Sequence, residues 1–212
     1  MLDRRVDVVC LGILVADVIA QPVDELPAPG SLDLIEDIAL HVAGALVMDG
    51  LDGEPLAAVL TEAKRRGLLT SLDTVWDATG RWSRLEPCLP YVDLAVPSLG
   101  EAQAVSGERA PERVAAWFRG RGVVEIALTM GAEGCYAAGA GFEGLVPAPR
   151  VRTVDGTGAG DAFAAGMLYG KLSGWSFEDA VRLGNAAGAL STTAIGAFEG
   201  LRGLDETVKI MR

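Results

Sequence analysis

The residues of this chain best suited to chemistry lie in one short stretch, DGTGAGDAF, residues 155–163. Gly156, Gly158 and Gly160 alternate with other small residues, which lets successive backbone amides turn to one side, and residues 162–172 that follow are good helix formers. A glycine loop at a helix start offers unpaired amides and the positive end of the helix dipole to an anion, and phosphate is the natural guest. The stretch is not a P-loop, because no Lys-Ser/Thr follows the glycines. Nor is it a GxGxxG dinucleotide fingerprint, because Asp161 stands where the third glycine belongs. A carboxylate among phosphate-binding amides serves poorly for binding alone but well as a base. In phosphoryl transfer to an alcohol, an Asp accepts the hydroxyl proton while amides and a metal hold the transferring charge. The residues by themselves leave a second account open, in which Asp161 caps a helix and the glycines make a tight turn.

The elements that must position this loop follow from hydrophobic pattern. Residues 6–15 read as a buried strand, and residues 69–72, 92–96 and 123–129 as further short apolar strands. Between them, helices are predicted over 54–66, 82–89, 99–106 and 111–121, with Gly67 as a stop for the first. Strands alternating with helices imply crossover connections and a mainly parallel sheet. Residues 134–138 and 144–146 form a hairpin-like pair. From Asp161 onward the chain is largely helical, and Ser176 with Asp179 makes a capping-box-like start for a helix reaching about residue 193. The expectation is a single α/β domain over residues 1–212, a mainly parallel sheet flanked by helices in Rossmann-like fashion.

Composition excludes several classes. With 18 Lys and Arg against 29 Asp and Glu, a formal charge of −11 repels nucleic acid and anionic membrane. Glycine makes up 27 of 212 residues, nearly twice the ~7% average, without a collagen period. Cys10, Cys88 and Cys135 are odd in number and unpaired in spacing, as expected of reduced thiols in a cytoplasmic protein. The apolar run 8–19 is interrupted by Gly12 and Asp17, which suits neither a signal peptide nor a membrane span.

The glycine loop resembles the second signature of the ribokinase-like, or PfkB, carbohydrate kinases, and the similarity continues on both sides. LTMGAEGCY, residues 128–136, is similar to the family's strand and turn beside the nucleotide phosphates, with Thr129, Gly131 and Gly134 in matching places. VPSLGEAQAVSG, residues 96–107, resembles the segment whose Asn-x-x-Glu organises magnesium and phosphate; Glu101 matches the Glu, and Ser98 stands where Asn is usual. RLGNAAGALSTTAIGA, residues 182–197, resembles the helix and turn flanking the adenine, with Asn185 and Gly196 near the base. The resemblance implies a ribokinase-like fold and an ATP- and Mg2+-dependent kinase acting on a small sugar or nucleoside. It makes Asp161 the base, the amides of Gly158, Ala159 and Gly160 the anion hole, and Asp155 and Thr157 neighbours of a monovalent-cation site such as K+.

Towards the start, VVCLGILVADVIA (8–20) is similar to the family's first strand, with Asp17 where sugar hydroxyls are bound, although a strand-end Asp also satisfies turn amides. PAPGSLDLIEDIALHVAG (27–44) resembles the lid strands, so lid strands are expected over about 14–43 and the nucleotide-binding and catalytic part over about 46–212. After Gly44 the second glycine and the Asn of the family's first signature are absent, leaving only a small residual β lid. A natural deletion, an excised segment, or completion by another subunit each account for this. A sheet lacking internal strands exposes apolar edges, which favours an excised segment or oligomeric cover, a homodimer being the simplest. A nucleotide-binding pseudokinase or regulatory module is therefore the alternative function, and a dinucleotide enzyme ranks last. His41, the sole histidine, reads as a strand residue; Asp73, Trp76, Asp77 and Trp82 resemble a DxxWD…W run in a subset of these kinases; Cys135 reads as a small core residue.

Overall fold

The computed structural model describes residues 54–74, 80–139 and 141–211, which fall in one unit, Gly50–Arg212. Expected features at residues 6–15, the lid strands, Asp17, His41, Trp76 and Asp77 lie outside the described residues. Helix α1, Glu54–Arg65, ends in cations that suit the negative end of its dipole, and Gly67 turns the chain away at φ 73°. Arg65 and Arg66 close on Glu62, while Lys64 reaches Asp93.

Five short strands follow: β1 Ser71–Leu72, β2 Leu94–Ala95, β3 Glu125–Thr129, β4 Cys135–Gly139 and β5 Phe142–Val146. They lie side by side in that order. β1, β2 and β3 are parallel, with Ser71 opposite Leu94 and Leu94 opposite Glu125. β4 and β5 continue the sheet antiparallel, as the hairpin-like pattern anticipates. The parallel strands are connected by helical crossovers, among them α2 (Leu99–Ser106) and α3 (Pro111–Arg119) between β2 and β3. Between β1 and β2, the helix expected at 82–89 is a 3-10 helix over Trp82–Tyr91. Pro87 and Pro90 inside it would each clash with the carbonyl four residues back in an α-helix, so a regular α-helix does not form there.

Helices cover both faces of the sheet. Ile126 and Leu128 of β3 pack with Val114, Ala115 and Phe118 of α3, whereas Ala127 between them joins the opposite cluster with Phe163, Met167 and Val181. That is why Ile126, Ala127 and Leu128 follow one another as apolar residues rather than alternating with polar ones. Phe163 and Met167 belong to α4, Ala159–Leu172; Val181 belongs to α5, Phe177–Ser191. α5 starts where its capping signal predicts, with the Ser176 side chain accepting from the Asp179 amide. The short α6, Leu204–Ile210, closes the chain. No described helix is long and apolar enough to cross a membrane.

The contact that sets the site is α4 on α5. A Cβ built on Gly184 of α5 would stand 2.8 Å from the Phe163 carbonyl oxygen of α4, so backbone meets backbone there. Gly188, one turn later, does the same against the Ala159 carbonyl at 2.9 Å, in the first turn of α4. Gly184→Ala should therefore lower stability by about 1–3 kcal/mol in urea unfolding, overpacking outweighing the ~1 kcal/mol that alanine gains in helix propensity. A neutral or stabilising result would show that the two helices separate easily.

Candidate functional site

Two clusters of predicted site residues assemble at adjoining loops. The first is built around Asp155. Its Oδ1 accepts the Thr157 amide at 2.9 Å and the Thr157 hydroxyl at 2.8 Å, and its Oδ2 accepts the Gly196 amide at 2.9 Å. The amides of Val154 and Asp155 donate in turn to the Thr192 carbonyl beyond α5. One carboxylate thus ties the loop entering α4 to the turn leaving α5. These bonds, the Gly196 amide first and then the Thr157 amide and hydroxyl, hold the Asp155 carboxyl below its ordinary value.

At the start of α4, Gly158 is the N-cap in the left-handed region at φ 72°, and a Cβ there would meet Ala197 at 2.7 Å. Both the conformation and the close approach require glycine. The amides of Gly158, Gly160 and Asp161 donate to no described acceptor, while that of Ala159 makes a long 3.2 Å bond to the Gly156 carbonyl. Asp161, third residue of the helix, is exposed, and no described residue bonds its carboxylate. Three unpaired amides around a free carboxylate are what a phosphate and a proton-bearing hydroxyl would meet.

The second cluster sits at the carboxyl ends of β1, β2 and β3, where open parallel sheets bind ligands. Glu101 lies in the first turn of α2 and makes a reciprocal capping box with Ser98: the Ser98 amide donates to Glu101 Oε2 at 3.0 Å, and the Glu101 amide to the Ser98 hydroxyl at 3.3 Å. Thr74, just beyond β1, donates its hydroxyl to the same Oε2 at 2.8 Å. Thr129, the last residue of β3, is bridged to Ser98, and its amide donates to the Pro97 carbonyl at 3.0 Å. Gly131 and Gly134 shape the turn that follows, where the Met130 amide donates to the Gly134 carbonyl at 2.8 Å.

Asp73 connects the clusters electrostatically. Although it keeps an exposed face, burial among neighbouring atoms pushes its carboxyl up to about 6; the negative charges of Asp161 and Glu101 add to the rise and a bond from the Thr74 amide opposes it. Asp161, Glu101 and Asp73 therefore share one field. Asn185, by contrast, is buried away from the loop cluster. Its amide donates to the Val146 carbonyl at 2.9 Å and approaches Cys135 Sγ at 3.8 Å. Cys135 is a core residue as expected, its thiol pushed up to about 12 by burial. Thr74 is the site residue that sequence reasoning passes over. Its signal is a polar pair, Asp-Thr, closing a strand at the ligand-binding end of a parallel sheet.

Among the described residues no three His, Cys, Asp or Glu side chains converge closely enough to hold a metal ion. That suits magnesium in one respect, since it is held by one or two carboxylates with waters and substrate phosphates rather than by a protein cage. With both donors on Oε2, Glu101 Oε1 is left without a described donor.

Residues 20–202 match the model of the pfkB family carbohydrate kinases. A 2-dehydro-3-deoxygluconokinase of Bacillus subtilis (strain 168) is 41% identical over 110 residues, 51% of this chain and 34% of that protein. One from Escherichia coli (strain K12) is 32% identical over 177 residues, 76% of this chain and 57% of that protein. The chain thus spans about half the length, or less, of these relatives. Among solved structures, a putative ribokinase II from E. coli in complex with ATP and Mg2+ superposes with a TM-score of 0.66 at 29% identity, over 74% of this chain and 52% of that one. A fructokinase from Vibrio cholerae O395 with fructose, ADP and calcium bound gives 0.67 at 25%, over 76% and 58%. The fold is ribokinase-like.

The Asp155 clamp predicts a pH dependence. A carboxyl depressed in the folded state contributes stability above its unfolded value of ~3.9, and that stability is lost as pH falls through the lower folded value. The Gly196 and Thr157 amide proton resonances should therefore titrate with a midpoint below ~3.9, and Asp155→Asn should abolish the titration. A midpoint at or above the ordinary value would refute the clamp.

Proposed function

The chain belongs to the pfkB family of carbohydrate kinases, and from that premise we propose that it binds ATP with magnesium and transfers the terminal phosphoryl group to a hydroxyl of a small sugar or sugar acid. The observation that supports this most is the start of α4, where the unpaired amides of Gly158 and Gly160 flank a carboxylate that no described residue bonds. Asp161 takes the proton of the acceptor hydroxyl; the hydroxyl oxygen bonds to the terminal phosphorus as the bond to the ADP oxygen breaks. The amides, with the weakly bonded one of Ala159, hold the charge on the transferring oxygens. Glu101 is the carboxylate that would hold magnesium, which would supply positive charge to offset that of the phosphates.

The other assignments follow the same reading. Thr129, Gly131 and Gly134 line the phosphate side. Gly196 stands by the base, with Asn185 supporting the β5 end from within the core. Asp155 and Thr157 adjoin the place of a monovalent cation such as K+, Asp155 through its charge because both its oxygens already accept hydrogen bonds. Asp17 binds sugar hydroxyls. Two relatives named as 2-dehydro-3-deoxygluconokinases make 2-dehydro-3-deoxygluconate the first acceptor to try. Dependence on ATP fits a cytoplasmic protein, and a homodimer would cover an open sheet edge.

A second reading, a nucleotide-binding module without sugar phosphorylation, is favoured by one observation: after Gly44 the chain continues Ala45-Leu46 where the family's first signature has its second glycine and then Asn. The two readings part on the acceptor. Both expect ADP or ATP with magnesium to raise the melting temperature, and no shift at millimolar nucleotide would overturn both. Only the kinase forms ADP faster when the sugar acid is added. In that case Asp161→Asn should lower turnover at least ~100-fold while the ADP-induced shift persists, because the proton acceptor acts in the transition state and the amides stay in place. A helix cap alone would give about 1 kcal/mol or less of stability and no specific loss of rate.

A further inference from the structure

We propose that Thr74 is a positioning residue for the metal-holding carboxylate, fixing which oxygen of Glu101 is free; the inference rests on the reading of Glu101 as the residue that holds magnesium. Glu101 as a capping-box residue needs a single bond, from the Ser98 amide to Oε2. A carboxylate held by one donor can rotate about its last torsion, exchanging the bonded oxygen for the free one, because that torsion is broad and two-fold. The Thr74 hydroxyl removes this freedom. It reaches the same Oε2 from a different element, 27 residues away and across the sheet end, at 2.8 Å.

Two donors from two directions saturate Oε2 and leave Oε1 with no described donor, so one oxygen is committed to the fold and the other to a ligand. The amide of Thr74 donates to Asp73 Oδ1 at 2.8 Å. The position also matters electrically. Glu101 and Asp161 both act on Asp73, so the free oxygen of Glu101 belongs to a field of three acidic side chains that a hard divalent cation would relieve. An outer bond of this kind orients the ligand rather than touching the metal, and removing such bonds weakens metal affinity about 10–100-fold.

The test is a magnesium titration of ADP-dependent thermal stabilisation. Thr74→Val keeps the branched shape and removes the hydroxyl; Thr74→Ala is a second deletion of the same bond; Thr74→Ser restores it. Expected is a rise of about tenfold in the magnesium concentration for half-maximal stabilisation in the Val and Ala variants. The Ser variant should lie within about twofold of wild type, and ADP binding in EDTA should be unchanged in all three. An unchanged magnesium midpoint in the deletion variants, a Ser variant as weak as Val, or an equal loss in EDTA would each overturn the proposal. Failure of the underlying reading looks different: wild-type stabilisation by ADP would then ignore magnesium and Glu101→Gln would move nothing, and the proposal would fall with it.

Discussion

The glycine-loop half of the candidate site depends on where α4 begins. Backbone amides recognise an anion only if their helix is held still, and the contact of α4 with α5 through glycine achieves this without side chains in between. Gly188 lets the Ala159 carbonyl approach α5 directly, Gly158 lets the loop lie on Ala197, and Asp155 joins Thr157 to Gly196 across the same seam. The loop thus takes its position from a helix that comes after it in sequence. Disturbing the helix pair moves the amides even though no side chain near a phosphate has changed, the sense in which small displacements cost catalysis.

The charges obey a related constraint. Glu101 and Asp161 each occupy the third position of a helix. Their surroundings assign them different work. Glu101 is bonded back to its own cap and to Thr74, so it is fixed and its charge is partly spent on the fold. Asp161 follows a glycine cap that offers no side chain, and no described residue bonds its carboxylate. Placing these two where both raise the carboxyl of Asp73 concentrates negative charge in a chain already at −11. Such a cluster is tolerable beside water and is stabilised by a cation, which is how a nucleotide's metal would be drawn to it.

Much of this was legible before any coordinates. Helix α2 matches its expected span, since a Ser cap and Gly107 delimit it, and the buried β3 announces itself by the apolar run Ile126-Ala127-Leu128. The glycine loop and its carboxylate were legible because amide recognition is written in consecutive residues. What escaped was written in pairs distant in sequence. Nothing local to Thr74 indicates that it reaches Glu101, and nothing local to Asn185 indicates that its amide turns to Val146 rather than to a ligand. The 3-10 form of residues 82–91 was readable in principle, from Pro87 and Pro90, but the apolar pattern outweighed them.

The same distinction explains why the phosphate side of such a fold can be recognised in a chain spanning about half the length of its relatives. Recognition of phosphate needs amides, a helix end and one or two carboxylates, and here the candidates come from short contiguous segments joined in pairs, 98–101 with 129–134 and 155–161 with 192–197. Discrimination among sugars instead requires hydrogen bonds to particular hydroxyls on every side of the acceptor and exclusion of water, because an unmatched polar group in a closed pocket is what rejects the wrong ligand. Such contacts come from scattered side chains, and in this sequence Asp17 is the residue proposed for one of them. On the proposed reading, nucleotide chemistry would rest on the helix pair and the strand ends. Acceptor choice would then be a separate property, set by side chains outside those segments.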